Sequence, residues 1–406
     1  MIGRVAYLSI HTSPLEVPGT GDAGGMNVYV HQLAAAMARR GVKADVFTRR
    51  VDPGAPEEIE VEPGYRVINV TAGPPAMVPT AALAEVVGAF AEGVATWAIR
   101  HRAAYDVIHT HYWLSGWAGL LLHEVLRVPL AISFHTLGRV KDVNRRVDQT
   151  PAGLLRIAAE EEVIARAGCV VASTPAEAAE LIEHYAARPE RLCVSPPGVD
   201  HEVFFPGDRE RARAALGLPA GRLVLFVARI QPLKGGDVAL AAFAELAPDL
   251  PDLRLAVVGG PSGPQGLEEQ FRLHGAACAP EVAGRVEFLG PLPPSRLATA
   301  YRSAEALVLP SRSESFGMVA VEAQACGLPV VAAKVGGLAY AVAHGESGFL
   351  VEGWDPADYA AALRAILTDT VVAGRLAAGA VAHAAQYSWE STTDRLLELY
   401  SGISDG

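Results

Sequence analysis

Short apolar runs, each closed by a polar loop and followed by a segment with helically spaced apolar residues, recur along this 406-residue chain. In the first half they fall at 4–10, 43–48, 65–70, 106–109, 130–134, 169–173 and 191–195. In the second half they fall at 222–230, 254–258, 285–289, 306–309 and 329–333. Helical spacing fills the intervals, as at 28–40, 83–101, 115–126, 154–166 and 177–185. Apolar strands that alternate with helices are buried on both faces, which predicts parallel, doubly wound α/β sheets. Pro196-Pro197-Gly198 opens a break, 196–206, that reads as a linker between two such series. The length suggests two domains. The boundaries expected are 1–200, 201–385 and a terminal helical segment, 386–406.

One unit at 306–328, ALVLPSRSESFGMVAVEAQACGL, concentrates chemistry. An apolar strand stops at Pro310, a polar loop follows, and Gly317 opens a helix that ends at Gly327. Loops at the carboxyl ends of strands are where open α/β sheets bind ligands. Glu314 and Glu322 stand eight residues apart, a rise of roughly 12 Å if both were helical. With Glu314 in the loop and Glu322 on the second helical turn, the pair could hold two ends of a ligand about one sugar plus one ribose long. Carboxylates accept hydrogen bonds from vicinal hydroxyls at two oxygens, which suits ribose. The free helix N–H groups favour an adjoining anion.

Two cations, Arg229 and Lys234, flank an earlier strand-to-helix turn. Both can point at a diphosphate beside the positive end of the helix dipole. In the first half, a long loop at 11–27 carries Gly19, Gly21, Gly24 and Gly25 between the first strand and first helix. Glycines there would let backbone N–H groups approach a phosphate closely. The loop has neither the Walker pattern nor G-x-G-x-x-G, and an NAD(P) enzyme is set aside on that ground. Three strand ends carry polar residues that a core does not need: His11-Thr12, His109-Thr110-His111-Tyr112 and His135-Thr136. All are expected to open onto one crevice. Zinc is a poor rival for these histidines, since none shows the i, i+4 helical pair and no acidic ligand accompanies them.

The net charge of −11 argues against a nucleic-acid partner. Cys169, Cys193, Cys278 and Cys326 lie in or near apolar stretches, so buried thiols in a reducing cytosol are expected. The start, MIGRVAYLSI, reads as a strand and not a signal peptide. No run of 18 uncharged apolar residues is present, so no membrane span is expected. The expected location is the cytoplasm.

The 306–328 pattern resembles the nucleotide-sugar motif of the retaining GT-B glycosyltransferases of the sucrose-synthase-like family. SIHTSPLEVPGTGDAGGMNVYV (9–30), HTHYWLSG (109–116) and FHTL (134–137) look like the branch of that family that glycosylates inositol phosphate for mycothiol synthesis. This resemblance covers nearly the whole chain. It implies two Rossmann-like domains with an interdomain cleft, and a terminal helix packing back on the first domain. It implies transfer of N-acetylglucosamine from UDP to 1D-myo-inositol 3-phosphate. By the same resemblance, Arg229 and Lys234 neutralise the leaving UDP, Glu314 meets the donor sugar and Glu322 the ribose. His135 orients the sugar, while Gly25 and Asn27 meet donor or acceptor. Tyr112, Thr136 and Arg156 hold the inositol phosphate, with His11 also on the acceptor side. Where the family has a phosphate-binding lysine, Thr80 stands here, so either Lys141 or Arg139 compensates or the acceptor is not a phosphate.

The partners expected are a nucleotide sugar and a cyclitol acceptor, and a homodimer is compatible. No metal is needed if Arg229 and Lys234 do the neutralising, although Mg²⁺ is allowed. Two alternatives stay open: a related transferase with a sucrose-type or aminocyclitol acceptor, and a non-catalytic sugar-nucleotide binding protein.

Overall fold

The apolar runs assemble into two separate sheets. The computed structural model describes residues 2–19, 21–145, 151–263 and 265–404. Met1, Thr20 and residues 405–406, which belong to strings read above, lie outside these. The N-terminal sheet has eight strands in the spatial order Glu58–Glu62, Tyr65–Val70, Lys43–Arg49, Arg4–Ser9, Val107–His111, Leu130–Ser133, Cys169–Ala172 and Leu192–Val194. The C-terminal sheet has six: Val286–Gly290, Arg254–Val258, Leu223–Val227, Ala306–Leu309, Val330–Ala333 and Gly348–Val351. Every pairing is parallel except that of the edge strand Glu58–Glu62. That strand and Gly348–Val351 were not foreseen. Both are sheet edges; Glu58–Glu62 is half-buried and mixes charge with apolar residues, so it lacks the continuous apolar signature of an inner strand.

Each sheet reverses its strand order at one seam. Arg4–Ser9 lies beside Val107–His111, and Leu223–Val227 beside Ala306–Leu309. Ligands bind outside the carboxyl ends of strands at such switch points. The chain beyond those four ends carries His11, Tyr112, Arg229 and Glu314.

Helix caps separate scaffold from site. Thr174, Asp208 and Asp355 each accept a backbone N–H at the start of a helix remote from the seams, satisfying donors left open by helix geometry. Gly236–Leu246 and Met318–Ala325 have no side-chain cap. Each is entered through a glycine with positive φ, 71° at Gly235 and 97° at Gly317, a conformation that costs glycine little. Their first N–H groups therefore remain available to an anion.

The chain crosses between lobes twice, side by side. Val199 bridges Ser388, Thr392 Oγ1 donates to Pro196 O at 2.8 Å, and the terminal helix Trp389–Ser404 then packs on Gly25–Arg39 of the N-terminal lobe. Tyr400 of that helix is buried in the N-terminal core. Cys169 and Cys326 are buried, Cys193 is half-buried and Cys278 is exposed. The last corrects the expectation of four buried thiols: Cys278 falls in the turn after helix Gly266–Ala276, beyond its apolar face. Ala82–Arg100 is long and apolar enough, by length and composition, to cross a bilayer. Within the fold, its Val87, Phe90, Val94 and Trp97 are buried in the core of the N-terminal lobe.

Candidate active site

A cavity of about 460 Å³ lies between the two switch points and is lined by both lobes, a size usual for small-molecule sites. The glycine-rich loop spans it. Gly19 packs on Pro291 of the C-terminal lobe, and Gly24 lies against Arg229. A Cβ at Gly24 would stand 3.0 Å from Arg229 Nε, so glycine is what lets the backbone rest on the guanidinium. The lobes also meet through Ser315 Oγ, which donates to His135 O at 2.5 Å, and the linker is tied to the N-terminal lobe by Gln32 Nε2, which reaches Asp200 Oδ2 at 3.3 Å.

The C-terminal wall is built of charged and ionisable groups that already have partners in the protein. Lys234 Nζ donates to Glu314 Oε2 at 2.6 Å. Arg229 Nη1 lies 3.3 Å from Ser262 Oγ and 3.4 Å from Asp22 O. Glu322 is buried and accepts from Tyr301 Oη at 3.2 Å. Burial pushes its carboxyl up to about 7, against the opposing pull of that hydrogen bond. Arg229, Lys234, Glu314 and Glu322 all line the cavity.

The N-terminal wall is largely uncharged. His11, Thr80, Tyr112, His135, Thr136, Lys141 and Gly25 line it. Tyr112 and His135 have φ of 75° and 58°. Such positions cost a non-glycine residue of order 1–3 kcal/mol and gather at functional sites. The His11 ring lies 4.5 Å from that of Tyr112, tilted by 38°, and its Nδ1 is buried with no hydrogen-bond partner among the described residues. Burial lowers its imidazole to about 4. His135 falls to about 3 for the same reason, helped by repulsion from His11, so both rings are neutral near pH 7. Arg156 stands behind this wall rather than on it. Its guanidinium donates to Glu160 Oε1 at 2.7 Å and to Thr136 O and Oγ1 at 2.8 and 3.2 Å, and lies 5.1 Å over the Tyr112 ring. It thereby holds Thr136 and Tyr112 in place.

Several readings need correction. Asn27 does not face the cavity. It is buried at the start of helix Gly25–Arg39, where Oδ1 accepts from Gly24 N at 3.0 Å and Nδ2 donates to Ser13 O at 2.5 Å; capping the loop consumes its amide. His109 and His111 do not open onto the crevice either. Strand alternation turns both under the sheet end, where they are fully buried with Tyr7, Tyr29 and Tyr400. His109 is hydrogen-bonded to Tyr400 Oη at 2.5 Å and Ser133 Oγ at 2.9 Å. His111 Nδ1 is 2.9 Å from His135 Nε2, so a buried imidazole fixes the ring at the cavity. Arg139 points away, bonded to His184 O and Glu161 and lying over Tyr185.

Asp22 was overlooked. Its carboxylate accepts from Thr80 Oγ1 at 2.9 Å and from Ser262 Oγ at 3.2 Å, joining the two walls. A lone acid among glycines gives no sign of this in sequence, because only the fold brings 22, 80 and 262 together.

Known proteins resemble this chain along nearly its whole length. Residues 24–198 match the family described as glycosyl transferase 4-like domain, and 208–381 match glycosyl transferases group 1. A D-inositol 3-phosphate glycosyltransferase of Acidothermus cellulolyticus is 47% identical over 403 residues, 98% of this chain and 90% of that protein. One of Geodermatophilus obscurus is 48% identical over 408 residues, covering 99% and 90%. The structure of sucrose-phosphate synthase from Thermosynechococcus elongatus superposes with a TM-score of 0.91 at 34% identity, covering 99% of each chain.

Proposed function

The chain belongs to the group 1 glycosyl transferases, and we propose that it moves N-acetylglucosamine from UDP-N-acetylglucosamine to a hydroxyl of 1D-myo-inositol 3-phosphate with retention of configuration. One observation carries the reading: a cationic wall and a polar wall, from different lobes, face one cavity. The relatives' names supply the acceptor, D-inositol 3-phosphate.

The donor's diphosphate is assigned to Arg229, Lys234 and the uncapped N-termini of Gly236–Leu246 and Met318–Ala325. An ammonium has three donors; Lys234 gives one to Glu314 and keeps the rest for phosphate oxygens. These groups stabilise charge that grows on the leaving group. Glu322 takes the ribose hydroxyls. His135, neutral and held by His111, orients the sugar.

Among the described residues, the acidic side chains that line the cavity already have partners: Asp22 with Thr80 and Ser262, Asp200 with Gln32, Glu314 with Lys234 and Glu322 with Tyr301. As the family resemblance implies, the reaction is read as a same-face displacement. The acceptor oxygen bonds to the anomeric carbon as the bond to the β-phosphate oxygen breaks with its electron pair. The acceptor proton passes to that phosphate oxygen. Arg229 and Lys234 make a metal dispensable, so EDTA should leave turnover unchanged.

The test is incubation of UDP-N-acetylglucosamine with inositol 3-phosphate, inositol or fructose 6-phosphate, reading UDP release and the anomeric proton coupling of the product. An α-linked product on inositol 3-phosphate supports the reading. Binding without UDP release would make this a sugar-nucleotide binding protein, and preference for another acceptor would reassign the substrate.

A further inference from the structure

We propose that Lys141 is the cation that holds the acceptor's phosphate. This rests on the cyclitol-phosphate reading above and names the residue within it.

Lys141 belongs to the short helix Gly138–Asn144, on the N-terminal wall, and lines the cavity. Among the described residues its ammonium has no hydrogen bond and no ion pair, unlike Lys234 across the cavity. Its surroundings are cationic: Arg156, then Arg229 and Lys234, bear on it most. The nearby acid, Glu160, is already committed to Gly138 N at 3.0 Å, to Arg156 Nε at 2.7 Å and to Tyr185 Oη. Burial and the three cations pull the ammonium down to about 7. A charge placed in this way is uphill until an anion joins it. Thr80 brings no charge to the same wall, and its hydroxyl is given to Asp22. Arg139 is turned away.

The acceptor is favoured over the diphosphate because Lys141 comes from the N-terminal lobe, on the helix that follows Thr136, and lines the cavity with Thr136 and Tyr112. Arg156 is the residue that positions Thr136 and Tyr112. An oxyanion between Lys141, Tyr112 Oη and Thr136 Oγ1 would meet one charged and two hydroxyl donors on one wall. The same anion could come from the donor, so the experiment separates the two sources.

Wild type, Lys141→Gln and Lys141→Arg are compared by steady-state kinetics and by thermal unfolding with inorganic phosphate or inositol 3-phosphate. Loss of a charge-assisted hydrogen bond predicts that Lys141→Gln raises KM for inositol 3-phosphate about ten- to a hundredfold. The donor KM should stay within about twofold. Phosphate should stabilise wild type and Lys141→Arg but not Lys141→Gln, because only a binding-competent native state shifts its Tm. A pH series adds a second readout. Lys141 faces Arg156, Glu160, His11, Arg229 and Lys234; the phosphate's own second ionisation acts on both proteins, so wild-type affinity should fall relative to that of Lys141→Arg, which stays charged, as pH rises through about 7.

Unchanged acceptor KM in Lys141→Gln overturns the proposal. So does a rise confined to the donor KM, which would give the ammonium to the diphosphate. If wild type instead glycosylates an unphosphorylated cyclitol, the functional reading fails by itself. Lys141 is then judged by inorganic phosphate alone, and stabilisation that survives Lys141→Gln removes it as an anion site.

Discussion

The two walls of the cavity solve one problem with different materials. Both place polar side chains beyond the carboxyl ends of parallel strands at a switch point. The C-terminal wall does so with charges already paired in the protein, Lys234 to Glu314 and Arg229 to Ser262 and Asp22 O. The N-terminal wall uses neutral imidazoles and hydroxyls, locked from behind by Arg156 and His111, with a single bare ammonium at Lys141. A diphosphate entering the first wall must share its cations with existing partners. A phosphate entering the second meets a cation that has none among the described residues. The donor side is thus built to respond to charge that grows during reaction, and the acceptor side to charge already present on the ligand.

The hardest test of that contrast is Arg229→Ala. Removing a group that stabilises leaving-group charge typically costs 10²–10³ in kcat. We expect a loss of about that size in kcat, with the KM for acceptor moving little. A variant whose acceptor KM rises while kcat holds would place Arg229 on the wrong wall. Because Arg229 also touches the glycine-rich loop at Asp22 and Gly24, thermal unfolding should be recorded alongside.

Glu322→Gln tests the donor wall through pH. Burial raises the Glu322 carboxyl from the ordinary 4.5 to about 7. The folded protein therefore holds this proton more tightly than the unfolded chain. A raised carboxyl leaves stability untouched below the unfolded value and lowers it as pH climbs through the folded one, by about 3 kcal/mol at most. Wild type should lose stability between about pH 4.5 and 7, and Glu322→Gln should lose less. Donor KM should improve in wild type as pH rises through about 7, as the carboxylate gains acceptor capacity for ribose, and stay flat in the variant. A flat wild-type profile would mean that Glu322 is ionised throughout.

How much of these walls could be read from sequence follows from distance along the chain. Arg229 and Lys234 lie on one turn, and Glu314 and Glu322 on one strand-loop-helix unit, so local spacing brought each pair to the cavity. Groups that need the fold were harder. His109 and His111 share a strand face, but nothing local says whether that face looks into the cavity or the core. Asn27 follows a glycine pair and looks available, yet the loop's own backbone takes both ends of its amide. Lys141 and Arg139 are two helical positions apart, about 200° of rotation; one lines the cavity and the other lies over Tyr185. The positions of the inner strands were legible because buried parallel strands carry a continuous apolar run, and the half-exposed edge Glu58–Glu62 was missed because it does not.

His111→Phe probes the locked acceptor wall at the ring nearest the chemistry. It removes the hydrogen bond to His135 Nε2 while keeping a buried ring. A positioning role predicts a fall in kcat of about tenfold, the effect of about 1.4 kcal/mol, with little change in either KM. His111→Asn, which restores a hydrogen-bonding group of shorter reach, should recover part of it. A fall in stability with kcat intact would reduce His111 to packing.

The smallest effect is expected farthest from the cavity, at the same cluster's other end. Tyr400 comes from the terminal helix, which follows the C-terminal lobe in sequence, yet its hydroxyl bonds His109 inside the N-terminal core. Tyr400→Phe deletes that hydrogen bond and the hydroxyl's interaction with buried Tyr7. A net hydrogen bond is worth about 0.5–1.5 kcal/mol, more where a buried partner is left unpaired; His109 keeps Ser133 on its other nitrogen. We expect Tm to drop by a few degrees and kcat to hold within about twofold. His109 and His111 rings sit 4.4 Å apart, so a kcat loss as large as that of His111→Phe would show that the lock on His135 runs through both histidines to the terminal helix. The neutral wall would then be set by the chain's last helix, and the paired wall by groups of its own lobe and the facing glycine-rich loop.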